Sequence, residues 1–344
     1  MRTEGQNPAR DDHSSRPGQR ATMRAIVQDS YGSADVLRLA QIARPTPADN
    51  EVLLRVRAAG VDRGAWHLMR GRPFLARAAF GLTRPKNPVQ GTEVAGTVVV
   101  VGSGVTRFAV GDEVFGVGQG AFAEYTVVRE DKLAAKPVNA SFEQAAALAV
   151  SAATAVQALV DVGHVEAGQS VLVIGASGGV GSYAVQVAKA KGAAVTGVCS
   201  TAKRDLVRSL GADSVLDYTR DDFADGTRCY DLILDIAGRP SLRRLRRALT
   251  ATGTAVIVGG EDGGEFSGGM NRQLRALALT PFVRQRLTMF IASPGARDLE
   301  RLTGLVEAGA VTPSIDRSFP LERAADAMRY LEAGTVRGKV VIAV

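Results

Sequence analysis

The residues with the plainest chemistry are glycines. Gly175, Gly178, Gly179 and Gly181 follow the apolar run Val171–Ile174 and lead into Gly179–Lys191, a segment with the spacing of an amphipathic helix. A turn with so little side-chain bulk lets backbone N–H groups approach a pyrophosphate, and the helix N-terminus adds a partial positive charge worth up to about 2 kcal/mol. Gly181 is expected to let helix and strand pack closely. The candidate contact positions are Gly175, Ser177, Gly178, Gly179, Val180 and Gly181. Their spacing is GxxGxxG, one residue longer in the first gap than the common GxGxxG.

Elements able to hold such a turn surround it. Strand-like and helix-like segments alternate through Ser170–Ile174, Gly179–Lys191, Ala194–Cys199, Lys203–Leu210, Ser214–Leu216, Tyr230–Ile236, Ser241–Leu249 and Gly253–Val258. Strands rich in Val, Ile and Leu between helices imply a parallel sheet covered on both faces, an α/β doubly wound architecture. Met270–Arg286 reads as helix and Leu287–Ile291 as an edge strand. Gly259, after the last central strand, falls at the carboxyl edge of the sheet, where a cofactor would lie.

Before this region, from Met23 to about Val128, short β-rich runs are separated by Gly, Pro and Asp: Glu51–Val61, Glu93–Val101, Asp112–Val117 and Ala121–Val128. They predict an antiparallel, barrel-like domain. Ala140–Val160 is Ala-rich and helical, opened by Ser141 and Gln144 at capping-box spacing. From Arg297 two helical patterns precede a last strand, Lys339–Val344, expected to return to the first domain. The expected division is a disordered tail over 1–22, a β-rich substrate domain over 23–145 and 293–344, and a dinucleotide-binding domain over 146–292. Translation could start at Met1 or at Met23.

Composition agrees with this plan. A chain of 344 residues exceeds one ordinary core and suits two. No run of 18 apolar residues occurs, so no membrane-spanning helix is expected. The formal charge of +7 admits acidic partners, but the densest basic cluster, Arg243, Arg244, Arg246 and Arg247, has the spacing of a solvated helix face, and no nucleic-acid partner is expected. Two cysteines without a CxxC pair, Cys199 and Cys229, build neither a disulfide framework nor a cysteine-rich zinc lobe. The first residues lack a signal's apolar core, and Glu4, Asp11 and Asp12 argue against a transit peptide. A reducing cytoplasm fits.

The GxxGxxG spacing, together with Gly91-Thr-Glu93-Val-Ala-Gly96, Val110-Gly-Asp112-Glu-Val-Phe-Gly116, Gly211-Ala-Asp213 and Arg337-Gly-Lys339, resembles the medium-chain dehydrogenase/reductase superfamily in its quinone oxidoreductase-like branch. The resemblance covers nearly everything after Met23. It implies a GroES-like β-barrel substrate domain formed by both ends of the chain, a Rossmann domain between them, an active site in the cleft, and a homodimer. It also brings Lys339 to the cofactor.

Cofactor choice is read where the second strand ends, at Val198-Cys-Ser200-Thr-Ala-Lys203-Arg204. An acidic side chain there would accept from a ribose diol and repel a 2′-phosphate. Hydroxyls and two cations stand there instead, as a phosphate requires, so NADPH is expected over NADH. The resemblance adds a serine, a lysine and a tyrosine to this subsite, here Ser200, Lys203 and Tyr218.

Zinc-dependent members of the superfamily polarise the substrate with a metal. The position of their first cysteine ligand is Asp62, and Thr92 replaces the histidine of Gly-His-Glu, which leaves Glu93 without partners. His13, His67 and His164 are too scattered for a histidine-rich site. No metal is expected. Lacking a Lewis acid, the chain is expected to reduce a quinone or an α,β-unsaturated carbonyl, with hydride from the nicotinamide, the enolate or hydroquinone oxygen held by N–H or hydroxyl donors, and water as a proton source.

The resemblance places Asp62, Trp66 and His67 over the nicotinamide, with Asp62 and His67 as candidate catalytic residues; His67 could donate a proton near neutral pH. The segment from Leu68 to Pro88 mixes aromatic, apolar and basic residues like a lid over a small hydrophobic electrophile. Two alternatives stay open: a metal-free ketone or aldehyde reductase, and a non-catalytic NADPH-binding protein.

Overall fold

The computed structural model describes residues 21–259 and 264–344. The expected tail over 1–22 lies outside them except for its last two residues. Thr22 already belongs to the first strand, β1 (Thr22–Val27), which pairs antiparallel with β2 (Arg38–Ala43).

The larger β-unit is built from β3 (Glu51–Val61), β4 (Glu93–Val101), β5 (Glu113–Val117), β6 (Tyr125–Arg129) and β7 (Leu133–Ala135), all antiparallel neighbours. Between β3 and β4 run α1 (Arg63–Arg70) and α2 (Arg77–Phe80). Beyond β7 come α3 (Phe142–Leu148) and α4 (Ser151–Val156). The Ser141–Gln144 capping box forms as its spacing requires. The single helix expected over Ala140–Val160 is nevertheless broken at Ala149–Val150. The cause lies far away in sequence: Glu93 Oε1 accepts the N–H groups of Val150 at 2.8 Å and Ser151 at 3.2 Å, so a carboxylate caps α4 from β4.

The second unit alternates β8 (Ser170–Ile174), α5 (Gly179–Ala190), β9 (Ala194–Cys199), α6 (Arg204–Ser209), β10 (Ser214–Asp217), β11 (Tyr230–Asp235), α7 (Leu242–Ala248) and β12 (Leu249–Ile257). Then follow α8 (Gly264–Ser267), α9 (Met270–Leu279) and β13 (Arg286–Met289). The strand order is β10-β9-β8-β11-β12-β13, every pair parallel. This is the doubly wound order, with its switch point between β8 and β11. Val171, Leu172 and Val173 of β8 are fully buried because both neighbours and both helical layers cover them. The helix expected over Met270–Arg286 stops at Leu279: Pro281 sits in the following 3-10 turn and cannot extend it.

The chain then returns through α10 (Ala296–Glu307), β14 (Ile315–Pro320), α11 (Ala324–Glu332) and β15 (Lys339–Ala343). As expected, the last strand joins the first unit, pairing antiparallel with β3 and parallel with β14. The arginines of α7 lie on the surface side, Arg244 reaching Asp222 at 2.7 Å and Arg247 the Asp225 carbonyl at 2.9 Å, as a solvated face does. No single described helix is long and apolar enough to cross a membrane.

Candidate functional site

The glycine turn sits at the carboxyl end of β8, at the switch point. Gly175 takes φ +90°, a left-handed conformation that a side chain would strain. Its N–H and that of Ala176 both donate to the Val198 carbonyl, at 3.1 and 3.0 Å, which ties the turn to β9. Gly178 is the N-cap of α5 and supplies no side chain, so the first amides of that helix are left for a ligand. A Cβ on Gly181 would collide with the Gly175 carbonyl oxygen; only glycine permits this helix–strand approach. Ser177 is buried, and its carbonyl accepts Gly338 N–H at 2.9 Å. Val180 is half-buried against the core. The six residues selected from sequence therefore lie together in one cradle at the end of β8 and the start of α5.

Gly259 follows β12 and meets the loop after β11. Its N–H donates to the Asp235 carbonyl at 3.2 Å, and a Cβ there would collide with the carbonyl of Ile236, so the loops after β11 and β12 touch through bare backbone.

The expected phosphate subsite lies at the end of β9. Ser200 caps the turn Thr201–Lys203. Lys203 is half-buried, and its ammonium donates to the carbonyls of Gly334 at 2.9 Å and Val336 at 2.7 Å, which binds this subsite to the segment before β15. Burial pulls its pKa below the usual lysine value. Tyr218 is 59% exposed beside it, its N–H on the Cys199 carbonyl at 3.1 Å. A carboxylate does stand nearby, one that β9 alone could not reveal. Asp217, at the end of β10, has its pKa lowered first by the Thr201 hydroxyl and then by Thr219. It is buried and occupied with these two hydroxyls.

Lys339 is held beneath the cradle. It is 1% exposed, and its ammonium pairs with the carboxylate of Glu93 and the hydroxyl of Ser151, the latter at 3.1 Å. Its aliphatic stem runs under the cradle: a Cβ on Gly179 would lie 3.2 Å from Lys339 Cδ. Glu93, expected to be without partners, is thus held by Lys339 and two amides. Burial raises its pKa to about 7 despite the neighbouring cation.

On the substrate side, Asp62 is the N-cap of α1. Its Oδ1 accepts Ala65 N–H at 2.7 Å and its Oδ2 the Thr92 hydroxyl at 3.2 Å. His67 lies one turn on, edge-on to Trp66 with ring centroids 5.0 Å apart. The guanidinium carbons of Arg63 and Arg70 stand 5.3 and 5.6 Å from the Trp66 ring. Asp62 and His67 thus share one short helix, with Asp62 engaged in holding it. Sequence reasoning missed Ser151 and Thr92 as site-building hydroxyls; Thr92 beside Glu93 was the available signal.

The lid-like segment meets the nucleotide unit directly. Arg72 forms an ion pair with Glu265, and Pro73 packs so closely on Gly268 that a Cβ there would lie 2.8 Å from Pro73 Cγ.

Asp62 is spent on the cap and on Thr92, Glu93 is spent on Lys339, and no group of three or more His, Cys, Asp or Glu could hold an ion among the described residues.

Residues 48–138 match the alcohol dehydrogenase GroES-like domain, and residues 210–342 match a domain described as zinc-binding dehydrogenase. A chloroplastic NADPH-dependent alkenal/one oxidoreductase of Arabidopsis thaliana is 36% identical over 335 residues, 93% of this chain and 79% of that one. The quinone oxidoreductase of Coxiella burnetii superposes with a TM-score of 0.83 at 28% identity, covering 94% of this chain and all of that one. The Escherichia coli quinone oxidoreductase, solved with NADPH, gives 0.79 at 26% identity, covering 93% and 100%. With this fold, this glycine cradle and these relatives, the chain belongs to the medium-chain dehydrogenase/reductase superfamily, in its quinone oxidoreductase-like branch.

Proposed function

We propose that this protein is an NADPH-dependent, zinc-independent oxidoreductase that reduces a quinone or an α,β-unsaturated carbonyl. The observation that carries the reading is the cradle at Gly175–Gly181, backed by a hydroxyl- and cation-bearing subsite at Ser200–Arg204 and opposed by a substrate loop with no ligand set for a metal. The alkenal and quinone relatives support the substrate class.

NADPH supplies the hydride when bound. The chain's own residues do the remainder. Backbone N–H groups of the cradle hold the pyrophosphate, and Ser200, Lys203 and Tyr218 take the 2′-phosphate. Bare backbone at Gly259 leaves room at the sheet edge. Asp62 fixes α1 and Thr92, and so the loop that carries His67 toward the substrate. A conjugated acceptor needs only modest polarisation of its oxygen by such donors, with the proton taken from water or His67.

The proposed nucleotide-binding unit over 146–292 contains every strand of the parallel sheet, from Ser170 to Met289. A homodimer is part of the reading: Phe282 and Ile291, 83% and 72% exposed, flank the edge strand β13 and form an apolar rim that a second copy would cover. Buried Cys199 and exposed Cys229 are both free thiols, which suits the cytoplasm.

The test is NADPH oxidation at 340 nm by chelator-treated protein against quinones, enones, aldehydes and ketones, with NADH alongside. Turnover of quinones or enones with NADPH, undiminished by the chelator, is expected. Turnover confined to simple ketones or aldehydes would shift the reading to a carbonyl reductase. Binding without turnover would make the chain a nucleotide-binding protein.

A further inference from the structure

The stretch between Asp62 and Glu93 holds six cations, Arg63, Arg70, Arg72, Arg77, Arg84 and Lys86, and no acidic residue. Within it, the 3-10 turn Phe74–Ala76, α2 and the turn after α2 turn large apolar side chains to water. Leu82 is 74% exposed, and Phe74, Leu75 and Phe80 are 38%, 45% and 42% exposed. Phe266 of α8, the helix that lies against the 3-10 turn, is exposed as well. Single apolar residues scattered over a surface are ordinary; four within nine positions of one loop make a patch that asks for an occupant.

The exposure belongs to an ordered loop. Gly81 N–H donates to the Arg77 carbonyl at 2.8 Å, the Gly81 carbonyl accepts the Tyr31 hydroxyl at 2.7 Å, and Lys86 N–H donates to the Phe80 carbonyl at 2.8 Å, so the turn that presents Leu82 is fixed on both sides. Arg70 pairs with Glu332 at 3.4 Å and Arg72 with Glu265, which fastens the segment to α11 and α8. Left facing water are the apolar side chains and, interleaved with them, exposed Arg84 and Lys86 and half-buried Arg77, whose guanidinium carbon stands 4.7 Å from the centroid of the Phe74 ring.

We propose that this face docks on an anionic membrane surface, with the apolar side chains entering the boundary between headgroups and acyl chains and with Arg84 and Lys86 on lipid phosphates. A second copy of the chain is a poor occupant, because a two-fold interface sets the same cations against one another. An acidic protein needs a matched recess for each apolar side chain, which a bilayer does not. The loop runs on directly from α1, which carries His67, and Phe80 and Thr92 line one open pocket between α1 and β4. Docking therefore holds the substrate loop at the membrane. Resting on the reductase reading, the electrophile taken up there is a quinone or enone dissolved in the bilayer.

The experiment floats the full-length protein with vesicles of phosphatidylcholine alone and of phosphatidylcholine with phosphatidylglycerol. Retention is expected on the anionic vesicles only, and its loss at high salt. Leu82→Ser is expected to weaken vesicle binding about tenfold, and Arg84→Ser combined with Lys86→Ser about 30-fold. All three positions are exposed, so circular dichroism and thermal melting are expected to match the parent. Failure to bind anionic vesicles, or binding indifferent to both sets of substitutions, overturns the proposal. Capture of poly-glutamate without vesicle binding overturns it in favour of an acidic protein, and a change of oligomeric state in Leu82→Ser overturns it in favour of a second copy. With a long-chain quinone embedded in anionic vesicles, Leu82→Ser is expected to raise KM about tenfold, and to change KM for a short, water-soluble quinone much less. Equal changes for both quinones overturn uptake from the bilayer. Vesicle binding with neither quinone reduced overturns the reductase reading and leaves the docking surface standing.

Discussion

Lys339 and Glu93, 246 positions apart in the chain, form an ion pair in which neither side chain reaches solvent. The pair lies under the phosphate cradle and caps α4 through the same carboxylate. The stability of the folded chain therefore depends on pH through proton uptake by Glu93. The Glu93 carboxyl is raised from 4.5 to about 7, so the folded chain keeps a proton that the unfolded chain releases. That contribution is complete below about pH 4.5 and is lost as pH rises through 7. Lys339→Met removes the cation, and Glu93 then resists ionisation further. The substitution is expected to cost about 3–5 kcal/mol at pH 8 and clearly less at pH 5. Denaturant unfolding at the two pH values measures this; an equal loss at both would show that Glu93 does not titrate with folding.

Gly181→Ala places a methyl group against the Gly175 carbonyl. The cradle must open to accept it. NADPH affinity, followed by fluorescence titration, is expected to fall at least tenfold while circular dichroism stays near that of the parent. Unchanged affinity would remove the pyrophosphate from this turn.

Lys203→Ala separates two roles of one ammonium. The loss of a charge-assisted contact to the 2′-phosphate is worth about 1.5–3 kcal/mol, so KM for NADPH is expected to rise tenfold or more. KM for NADH should change much less, since only the shared anchoring to the Gly334 and Val336 carbonyls is lost. Equal losses with both cofactors would restrict Lys203 to that anchoring.

Asp62→Ala and Asp62→Asn distinguish capping from chemistry. Alanine abolishes the cap on Ala65 N–H and is expected to cost about 1 kcal/mol; asparagine retains it. If Asp62 acts only by holding α1, the asparagine variant keeps most of its turnover. A loss of turnover by orders of magnitude at full stability would place the carboxylate in the reaction itself.

The parallel unit was legible because its signals are local: a buried apolar strand, a glycine turn and a helix stand side by side in sequence, and their alternation implies a parallel sheet. The break between α3 and α4 was not legible, because its cause is a carboxylate on β4 and no residue within 140–160 announces it. The pairing of Lys339 with Glu93 was not legible for a related reason. The resemblance marks the lysine as a cofactor neighbour, while its partner depends on how β15 meets β4 across β3. Asp62 was picked out as a candidate catalytic residue, but its use as the cap of α1 depends on three-dimensional neighbours alone.

The return of β15 to β3 also bears on biosynthesis. During synthesis from the N-terminus, β3 and β4 emerge long before the strand that completes their sheet, and Glu93 is made 246 residues before its cation. The nucleotide-binding unit lies wholly between them, so it can form while the enclosing sheet still lacks an edge and holds a buried-type carboxylate without a counter-ion. A nascent chain stalled before residue 339 would therefore carry an assembled cradle beside an open β-unit, the species most exposed to edge-to-edge association and to proteolysis.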